Sequence, residues 1–341
     1  MGLRELKIEI TDKCLLKCTH CSTGALESHT SFLPKSTFKN IVDQAHELGC
    51  QKVFLSGGEP LLHPEINDFL KILQAKRIDS KVYSCGITQL SPPSPIATEA
   101  LKRLKTKGLR HFVFSLYSAT AQKHDSITNI QGSFEATKQA LENAISQSIT
   151  TEIHFVATKK NIGELADLTR LSVKMGVHKI SILRFVPQGR GKLSKQKLTP
   201  SIAEYKKLRS TIISLKKETS ELSFRLGSPF NFLLIDAPTP CTTGSDKMII
   251  DVDGFAYPCD ALKQVNWGNG SSNNAFEYSL SQVMKDAPLF QLVKKETTPK
   301  TCKKCPNLKK CQGGCLAQRL LKGGDLSETV DPSCLKSTAR E

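Results

Sequence analysis

The stretch LRELKIEITDKCLLKCTHC, residues 3 to 21, joins a short apolar segment to a loop with three cysteines. Leu3 to Ile10 is rich in isoleucine and leucine and is predicted to be a strand. The three cysteines that follow it, Cys14, Cys18 and Cys21, fall within eight residues. Three thiolates this close suit an iron-sulfur cube in which one iron keeps an open coordination position. An open iron indicates an active centre.

Strand patterns alternate with amphipathic helix patterns as far as about Pro187. The six predicted strands are Leu3 to Ile10, Gln51 to Ser56, Lys81 to Cys85, Arg110 to Leu116, Thr151 to Ala157 and Lys179 to Phe185. Thr37 to Leu48, stopped by Gly49, and Pro64 to Lys76 are predicted helices between them. Repeated strand and helix predict an α/β fold, a partial (β/α)6 TIM-like barrel over residues 1–190. Ligands then lie at the carboxyl ends of the strands, where the cysteine loop begins.

The alternation of strand and helix patterns stops in the second half of the chain. Residues 191–240 form a basic connector with a predicted helix from Ser201 to Glu218, and residues 241–341 form a small C-terminal domain. Seven of the twelve cysteines lie in this last part. Because the chain is long and lacks a signal peptide, metal ligation explains them better than disulfides. The C-terminal domain is therefore predicted to be held together by metal.

A glycine pair follows the second predicted strand in VFLSGGEPLLHPE, residues 53 to 65. Gly57 and Gly58 allow close approach to the main chain, and Glu59 adds a carboxylate. By itself GGEP is an ordinary strand-to-helix turn. Together with a CxxxCxxC loop it resembles the radical S-adenosylmethionine (radical SAM) enzymes, and the resemblance covers about the first 190 residues.

The resemblance implies a cofactor and a chemistry. Three irons of a 4Fe-4S cluster would take the three loop cysteines, and S-adenosyl-L-methionine (SAM) would chelate the fourth. One electron would then cleave SAM to a 5′-deoxyadenosyl radical that removes hydrogen from a substrate. Gly57, Gly58 and Glu59 would hold the amino end of SAM. A zinc site formed by the three cysteines and His20 is the alternative, but its spacing does not match the usual zinc patterns.

Other residues near strand ends carry two interpretations each. Ser115, in FVFSLYSA, would bond the ribose of SAM by resemblance, or would cap the strand end. Arg184, in LRFVPQGRG, would bind a carboxylate of SAM or substrate, or would form a surface ion pair. His20 occupies a position that the family usually fills with a ring, and we expect it to pack rather than ligate.

The seven C-terminal cysteines resemble the SPASM extension of radical SAM enzymes, which houses two auxiliary 4Fe-4S clusters. Matching by motif position gives one cluster Cys241, Cys259 and Cys315, and the other Cys302, Cys305, Cys311 and Cys334. The first set has three cysteines, so its fourth iron would bind substrate, water or another residue. Cys50 and Cys85 are left as buried small residues. A zinc ribbon of Cys302, Cys305, Cys311 and Cys315 is reasonable locally, but it leaves three cysteines unexplained.

Asp260 follows a predicted ligand in DVDGFAYPCDAL, residues 251 to 262. Asp253 and Gly254 predict a hairpin turn before it. This motif resembles one in anaerobic sulfatase-maturating enzymes, where an aspartate after the cluster cysteine is proposed to take the substrate's proton. Asp260 is therefore a candidate general base, and equally a candidate acceptor of backbone hydrogen bonds near the ligand loop.

The resemblance to radical SAM enzymes with this extension implies an enzyme that modifies a ribosomally made peptide or protein by crosslinking, oxidation or epimerisation. Formylglycine formation and modification of a small molecule or nucleic acid are the alternatives, and a basic zinc protein that binds nucleic acid is the rival outside enzymes. The net charge of +16 is spread over several stretches, which favours solvated faces over a nucleic-acid surface. The lack of an apolar run near 18 residues predicts a cytoplasmic protein.

The expected partners follow from the same resemblance. A flavodoxin- or ferredoxin-type protein would donate the electron. Because only 13 residues precede Cys14, we expect peptide recognition to come from the barrel, the connector or a separate leader-peptide-binding protein.

Overall fold

The computed structural model describes residues 2–264, 272–295, 298–323 and 325–336. The strands of these residues are β1 (Glu5–Glu9), β2 (Lys52–Ser56), β3 (Asp79–Ser84), β4 (Ile87–Leu90), β5 (Pro93–Pro95), β6 (His111–Ser115), β7 (Thr150–Ala157), β8 (Lys179–Arg184), β9 (Ser223–Leu226), β10 (Lys247–Ile250) and β11 (Ala256–Tyr257). The helices are α1 (Lys35–Glu47), α2 (Ile66–Ala75), α3 (Thr98–Thr106), α4 (Ala121–Thr128), α5 (Ser133–Ser146), α6 (Leu165–Met175), α7 (Arg190–Leu193), α8 (Lys195–Leu198), α9 (Ile202–Glu218), α10 (Leu280–Asp286), α11 (Pro288–Lys294), α12 (Lys300–Lys303), α13 (Leu308–Cys311) and α14 (Leu316–Lys322).

The six predicted strands form the centre of one sheet. β1, β2, β3, β6, β7 and β8 lie side by side in that order, and each pairs in parallel with the next. Helices connect them, as parallel pairing requires. The prediction of an α/β partial barrel is confirmed, and each predicted strand lies within two residues of the observed one.

Two further parallel strands extend this sheet at its edges. β9, from the predicted connector, pairs with β8, and β10, from the predicted C-terminal domain, pairs with β1. β11 then pairs with β10 in antiparallel register. Both later segments of the chain therefore contribute strands to the barrel sheet, while the bounds 1–190, 191–240 and 241–341 stay a prediction.

The two faces of the sheet differ in character because side chains alternate along each strand. Apolar residues such as Ile8, Leu55 and Phe114 are buried under the helices, where Phe38 of α1 stacks on Phe69 of α2 at 4.0 Å between ring centroids. The opposite face carries polar and aromatic residues from neighbouring strands. This inner face leads to the carboxyl ends of the strands, where the first cysteine loop begins.

Helix ends follow the sequence signals. Gly49 ends the first predicted helix with φ of +87°, a conformation that glycine adopts without cost. Ser201 caps α9 through a reciprocal capping box with Glu204, which fixes the start of the predicted connector helix. None of the helices in the described ranges has the length and apolar character needed to cross a bilayer.

Candidate active site and metal centres

The first cysteine loop leaves the carboxyl end of β1 and folds back on itself. The N–H of Cys14 donates to the carbonyl of Leu26 at 3.0 Å, and the N–H of Cys21 donates to the carbonyl of Cys18 at 3.2 Å. The loop also rests on the end of α4, where the N–H of Thr19 donates to Ile127 at 2.8 Å. The three thiols are partly buried on this loop.

Burial and mutual repulsion set the electrostatics of these thiols. Burial raises the pKa of Cys14 to about 12, and the charges of Glu59 and Cys21 add to the rise. Burial, with Cys14 and Cys21 close by, also raises the pKa of Cys18. Metal binding displaces such protons, and iron-sulfur clusters are held by thiolates. No group of three Cys, His, Asp or Glu side chains in the described ranges surrounds a single ion position; the thiolates of a cubane each bind a different iron.

Gly57 and Gly58 are in direct contact with this loop. A Cβ on Gly57 would lie 2.2 Å from the carbonyl oxygen of Thr11, and one on Gly58 would lie 2.1 Å from that of Lys13. The N–H of Gly58 donates to Thr11 and the N–H of Glu59 donates to Lys13, both at 2.7 Å. The glycine pair therefore joins the end of β2 to the segment just before Cys14. A bulkier residue at either position would push the loop away.

Glu59 is buried, at 1% exposure, and four donors surround its carboxylate. Oε1 accepts from the hydroxyl of Ser84 at 2.6 Å and the N–H of Leu61 at 3.1 Å. Oε2 accepts from the N–H and the Sγ of Cys85, at 2.8 and 2.9 Å. Burial raises the pKa of Glu59 against these hydrogen bonds. Glu59 thus ties the end of β2 to the end of β3, and its oxygens are already engaged within the protein.

Ser115 lies at the carboxyl end of β6, as predicted, beside Tyr117. A hydrogen bond from Ser115 lowers the pKa of the Tyr117 phenol against a larger rise from burial. The ring of His20 meets Tyr117 edge-on at 4.5 Å between centroids. Burial, assisted by His124, lowers the pKa of His20 to about 4, so its imidazole is neutral near pH 7. His20 packs in the structure.

The C-terminal cysteines separate into two places. A cavity of about 40 Å³ is lined by four of them together. These four are Cys302, Cys305, Cys311 and Cys334. The remaining three lie close enough to one another that burial and their mutual charges raise the pKa of Cys259 to about 12. These three are Cys241, Cys259 and Cys315. The arrangement has the same division into four and three as the predicted clusters.

Two family models match the chain. One is described as the radical SAM superfamily and matches residues 8–171; the other, SPASM, is described as an iron-sulfur cluster-binding domain and matches residues 241–306. The chain carries a radical SAM domain and a SPASM domain. The predicted cofactors, 4Fe-4S clusters and SAM, are confirmed by these two domains. Which cysteine holds which iron stays a prediction.

The radical SAM chain is similar along nearly its whole length to curated enzymes. It is 25% identical to PqqA peptide cyclase of Gluconobacter oxydans, covering 96% of this chain and 89% of that one. It is 26% identical to mycofactocin maturase MftC of Mycobacterium ulcerans, covering 96% and 86%. Solved structures of the same fold include Streptococcus suis SuiB bound to its precursor peptide SuiA, with TM-score 0.78, 20% identity and coverage of 98% and 76%. Another is anSMEcpe with AdoMet and a Cp18Cys peptide, with TM-score 0.75, 17% identity and coverage of 98% and 94%.

Asp260 connects the SPASM domain to the inner face of the barrel. Nζ of Lys7, on β1, lies 2.6 Å from Oδ1 of Asp260, and Nζ of Lys263 lies 3.8 Å from the same oxygen. Burial alone would raise the pKa of Asp260, but the charges of Lys7 and Lys263 outweigh it and lower that pKa. The side chain keeps 47% of its surface exposed. Asp260 is therefore an ionised, accessible carboxylate beside the loop of Cys259.

Arg184 forms an ion pair, and this pair lies inside the protein rather than on its surface. The guanidinium forms a bidentate pair with Asp331, at 2.8 and 2.6 Å, and both side chains are 2% exposed. It also donates to the hydroxyl of Ser333 and lies over the ring of Phe232. Asp331 accepts the N–H of Cys315 at 2.8 Å. Arg184 thus anchors the SPASM cysteines to β8.

Three contacts near the site were not predicted from the sequence. Lys7 belongs to a predicted strand, but only the pairing of β1 with β10 brings it to Asp260. Ser84 and Cys85 end the third strand, and their reach to Glu59 depends on strand register. Arg190, in the quoted LRFVPQGRG stretch, donates to three carbonyls of the first cysteine loop. Its glycine-flanked position was a signal that sequence reasoning could have used.

Proposed function

We propose that this radical SAM enzyme removes a hydrogen atom from a ribosomally synthesised peptide or protein, giving a crosslinked, oxidised or epimerised product. When bound, the barrel cluster and SAM supply the 5′-deoxyadenosyl radical for this step. The observation that carries the proposal is the presence of three separate thiol sets, one in the barrel loop and two in the SPASM domain. The names of the relatives, PqqA peptide cyclase and mycofactocin maturase, support a peptide as substrate.

We assign the three loop cysteines to the SAM-binding cluster and the amino group of SAM to the carbonyl side of Gly57 and Gly58. An ammonium group is a donor and needs acceptors. The N–H groups of Gly58 and Glu59 already donate to Thr11 and Lys13, so the carbonyls are the groups left for SAM. Glu59 then acts by fixing this backbone, and Ser115 offers its hydroxyl to the ribose.

The SPASM cysteines are assigned to two auxiliary clusters that accept or relay the electron left after hydrogen abstraction. Cys302, Cys305, Cys311 and Cys334 would hold one cluster in their shared cavity. The set of three leaves one iron for substrate, water or another residue. Fixed thiolate positions are what a relay needs, because the protein supplies orientation and the clusters supply the redox chemistry.

The test begins with anaerobic purification and metal analysis. We expect iron and sulfide for three clusters, and reductive cleavage of SAM to 5′-deoxyadenosine that is lost in a Cys14→Ala variant. A Cys50→Ala variant is the matched control, because Cys50 is buried away from the three sets. Stoichiometric zinc, or no cleavage of SAM by the reconstituted protein, would contradict the proposal. Co-expression with short peptides encoded beside the gene, read by mass and deuterium incorporation, then identifies the product.

Formylglycine formation is the second candidate, supported by the ionised Asp260 beside the Cys259 loop. A carboxylate at this place can take a proton from a substrate as it is oxidised. A peptide with a cysteine or serine at the reacting position distinguishes this candidate, because it would give an aldehyde that a hydrazide reagent captures. A crosslinked or epimerised peptide gives no such product.

The proposed electron donor is an acidic protein of the flavodoxin or ferredoxin type. Residues 298–323 contain seven basic residues and no acidic one, and they surround part of the four-cysteine cavity. Lys304, Lys309 and Lys310 are exposed there. The positive electrostatic potential of these lysines steers an acidic partner toward the cavity. We also propose a separate protein that binds the leader peptide, which pull-down with the neighbouring gene products tests. The proposed location is the cytoplasm.

A further inference from the structure

The segment Gln188–Gly191, called here the bridge segment, lies between the two cysteine loops nearest the barrel opening. On one side it contacts the residues after Cys259. Nε2 of Gln188 donates to the carbonyl of Ala261 at 2.6 Å, and the N–H of Gly189 donates to Oε1 of Gln264 at 2.8 Å. Gln188 is 1% exposed, so its Nε2 makes this contact away from water.

On the other side the bridge segment holds the first cysteine loop. Nε of Arg190 donates to the carbonyl of Cys18 at 3.1 Å. Nη1 of the same guanidinium donates to the carbonyls of Gly24 at 3.0 Å and Ala25 at 2.8 Å. The N–H of Gly191 also approaches the carbonyl of Cys21 at 3.3 Å. One side chain therefore ties together both ends of residues 18–25.

The glycines show how closely the backbones approach. Gly189 has φ of +53°, and a Cβ there would lie 2.6 Å from the carbonyl oxygen of Cys21 and 2.7 Å from that of Ser22. A Cβ on Gly191 would lie 3.0 Å from the ring of Phe185. No larger residue fits at Gly189 without moving the cysteine loop.

We infer that the bridge segment fixes the SAM-cluster loop relative to the Cys259 loop, and that Arg190 is the positioning residue whose fixed charge also raises the reduction potential of the SAM cluster. The inference rests on the proposed function. The rigid guanidinium donates from two separate nitrogens, Nε to Cys18 and Nη1 to Gly24 and Ala25, whereas a lysine ammonium presents all its donors at a single nitrogen. A cation held beside Cys18 favours the more negative, reduced cluster, since net charge and nearby hydrogen bonds set cluster potentials.

The test compares Arg190→Gln and Arg190→Lys with the wild type. Arg209→Gln is the matched control. Arg209 lies on α9, is also half-buried, and donates to the carbonyl of Leu233. The readouts are the rate of iron loss to a chelator, the midpoint potential of the SAM-responsive cluster by electron paramagnetic resonance, and amide hydrogen exchange of residues 18–25 in the metal-free protein.

We expect Arg190→Gln to lower the midpoint potential, to speed iron loss, and to raise amide exchange in residues 18–25 on the order of tenfold. Arg190→Lys should keep the potential near that of the wild type but still raise exchange, because charge is kept and the three-carbonyl contact is lost. Wild-type exchange and iron loss in Arg190→Gln would overturn the inference. If the clusters of the wild-type protein do not respond to SAM, the proposed function is refuted. The role of the bridge segment is tested separately, by amide exchange in the metal-free protein.

Discussion

Removing the guanidinium of Arg184 should destabilise the SPASM domain far more than removing an exposed cation. In Arg184→Met the carboxylate of Asp331 stays buried, at 2% exposure, without its bidentate partner. Breaking a buried pair in this way costs about 3–5 kcal/mol. With a urea m value of roughly 3 kcal/mol/M, the unfolding midpoint should fall by about 1 M or more.

The assay is urea unfolding of the anaerobically prepared enzyme, with iron release recorded in parallel. Lys300→Met is the matched control: Lys300 pairs with Glu328 at 2.6 Å, but the side chains are 70% and 54% exposed. Exposed pairs are screened by water and contribute little, so the control variant should unfold at nearly the wild-type urea concentration. A double variant, Arg184→Met with Asp331→Asn, should cost less than the sum of its single changes because no buried charge remains.

The pH dependence supplies a second check. Burial would raise the pKa of Asp331, but Arg184 outweighs it and lowers that pKa. The stabilisation is therefore fully present above the ordinary aspartate pKa of about 3.9 and is lost as pH falls through the lower folded value. In the wild type Asp331 is ionised between roughly pH 6 and 8, whereas in Arg184→Met its pKa rises because Arg184 no longer opposes burial, so the cost should be largest near pH 8 and should not grow as the pH falls. A cost equal to that of Lys300→Met, or one that disappears in this range, would refute the reasoning.

Three further predictions concern the active site. Gly58→Ala should abolish binding of the SAM cluster, because its Cβ would lie 2.1 Å from the carbonyl of Lys13; iron content lower by one cluster checks this, and a full complement would contradict it. Glu59→Gln should weaken SAM binding about tenfold or more through lost backbone positioning, since a glutamine amide has one acceptor oxygen and cannot accept from all four donors around the carboxylate; calorimetry measures the affinity, and unchanged affinity would argue against the role. Asp260→Asn should reduce peptide turnover by about 10²-fold or more while SAM cleavage without peptide stays intact; unchanged turnover would exclude the general base.

The strands were predictable where apolar runs were long enough to report on burial. Leu3 to Ile10 and Thr151 to Ala157 each bury apolar side chains under helices, so their composition carries the signal. β9 and β10 are only four residues long, and their membership of the sheet depends on pairing with β8 and β1 from distant parts of the chain. Short strands carry little periodicity, and so the sequence predicted neither as part of the barrel.

The candidate site was predictable as cysteine positions and less so as contacts. Cys85 was predicted to be a small buried residue, and it is buried, but its thiol also donates to Glu59. Arg184 left two interpretations open because a strand-end arginine has the same local sequence whether it meets a ligand or a carboxylate. Its partner, Asp331, lies 147 positions away. Only the folded chain shows that Arg184 meets a carboxylate of the protein itself, and that the pair is buried rather than on the surface.

Asp331 gives a physical reason why the two auxiliary sets have a fixed spacing. Its carboxylate accepts the N–H of Cys315, from the set of three, and its carbonyl accepts the N–H of Cys334, from the set of four, at 3.0 Å. A Cβ on Gly314 would lie 2.4 Å from the Cβ of Asp331, so the main chain of Gly314 packs directly against the Asp331 side chain. Because Arg184 holds the same carboxylate from β8, the barrel sheet sets where both groups of thiols lie. The distance between the two groups of thiols therefore depends on a strand of the barrel as well as on the C-terminal part of the chain.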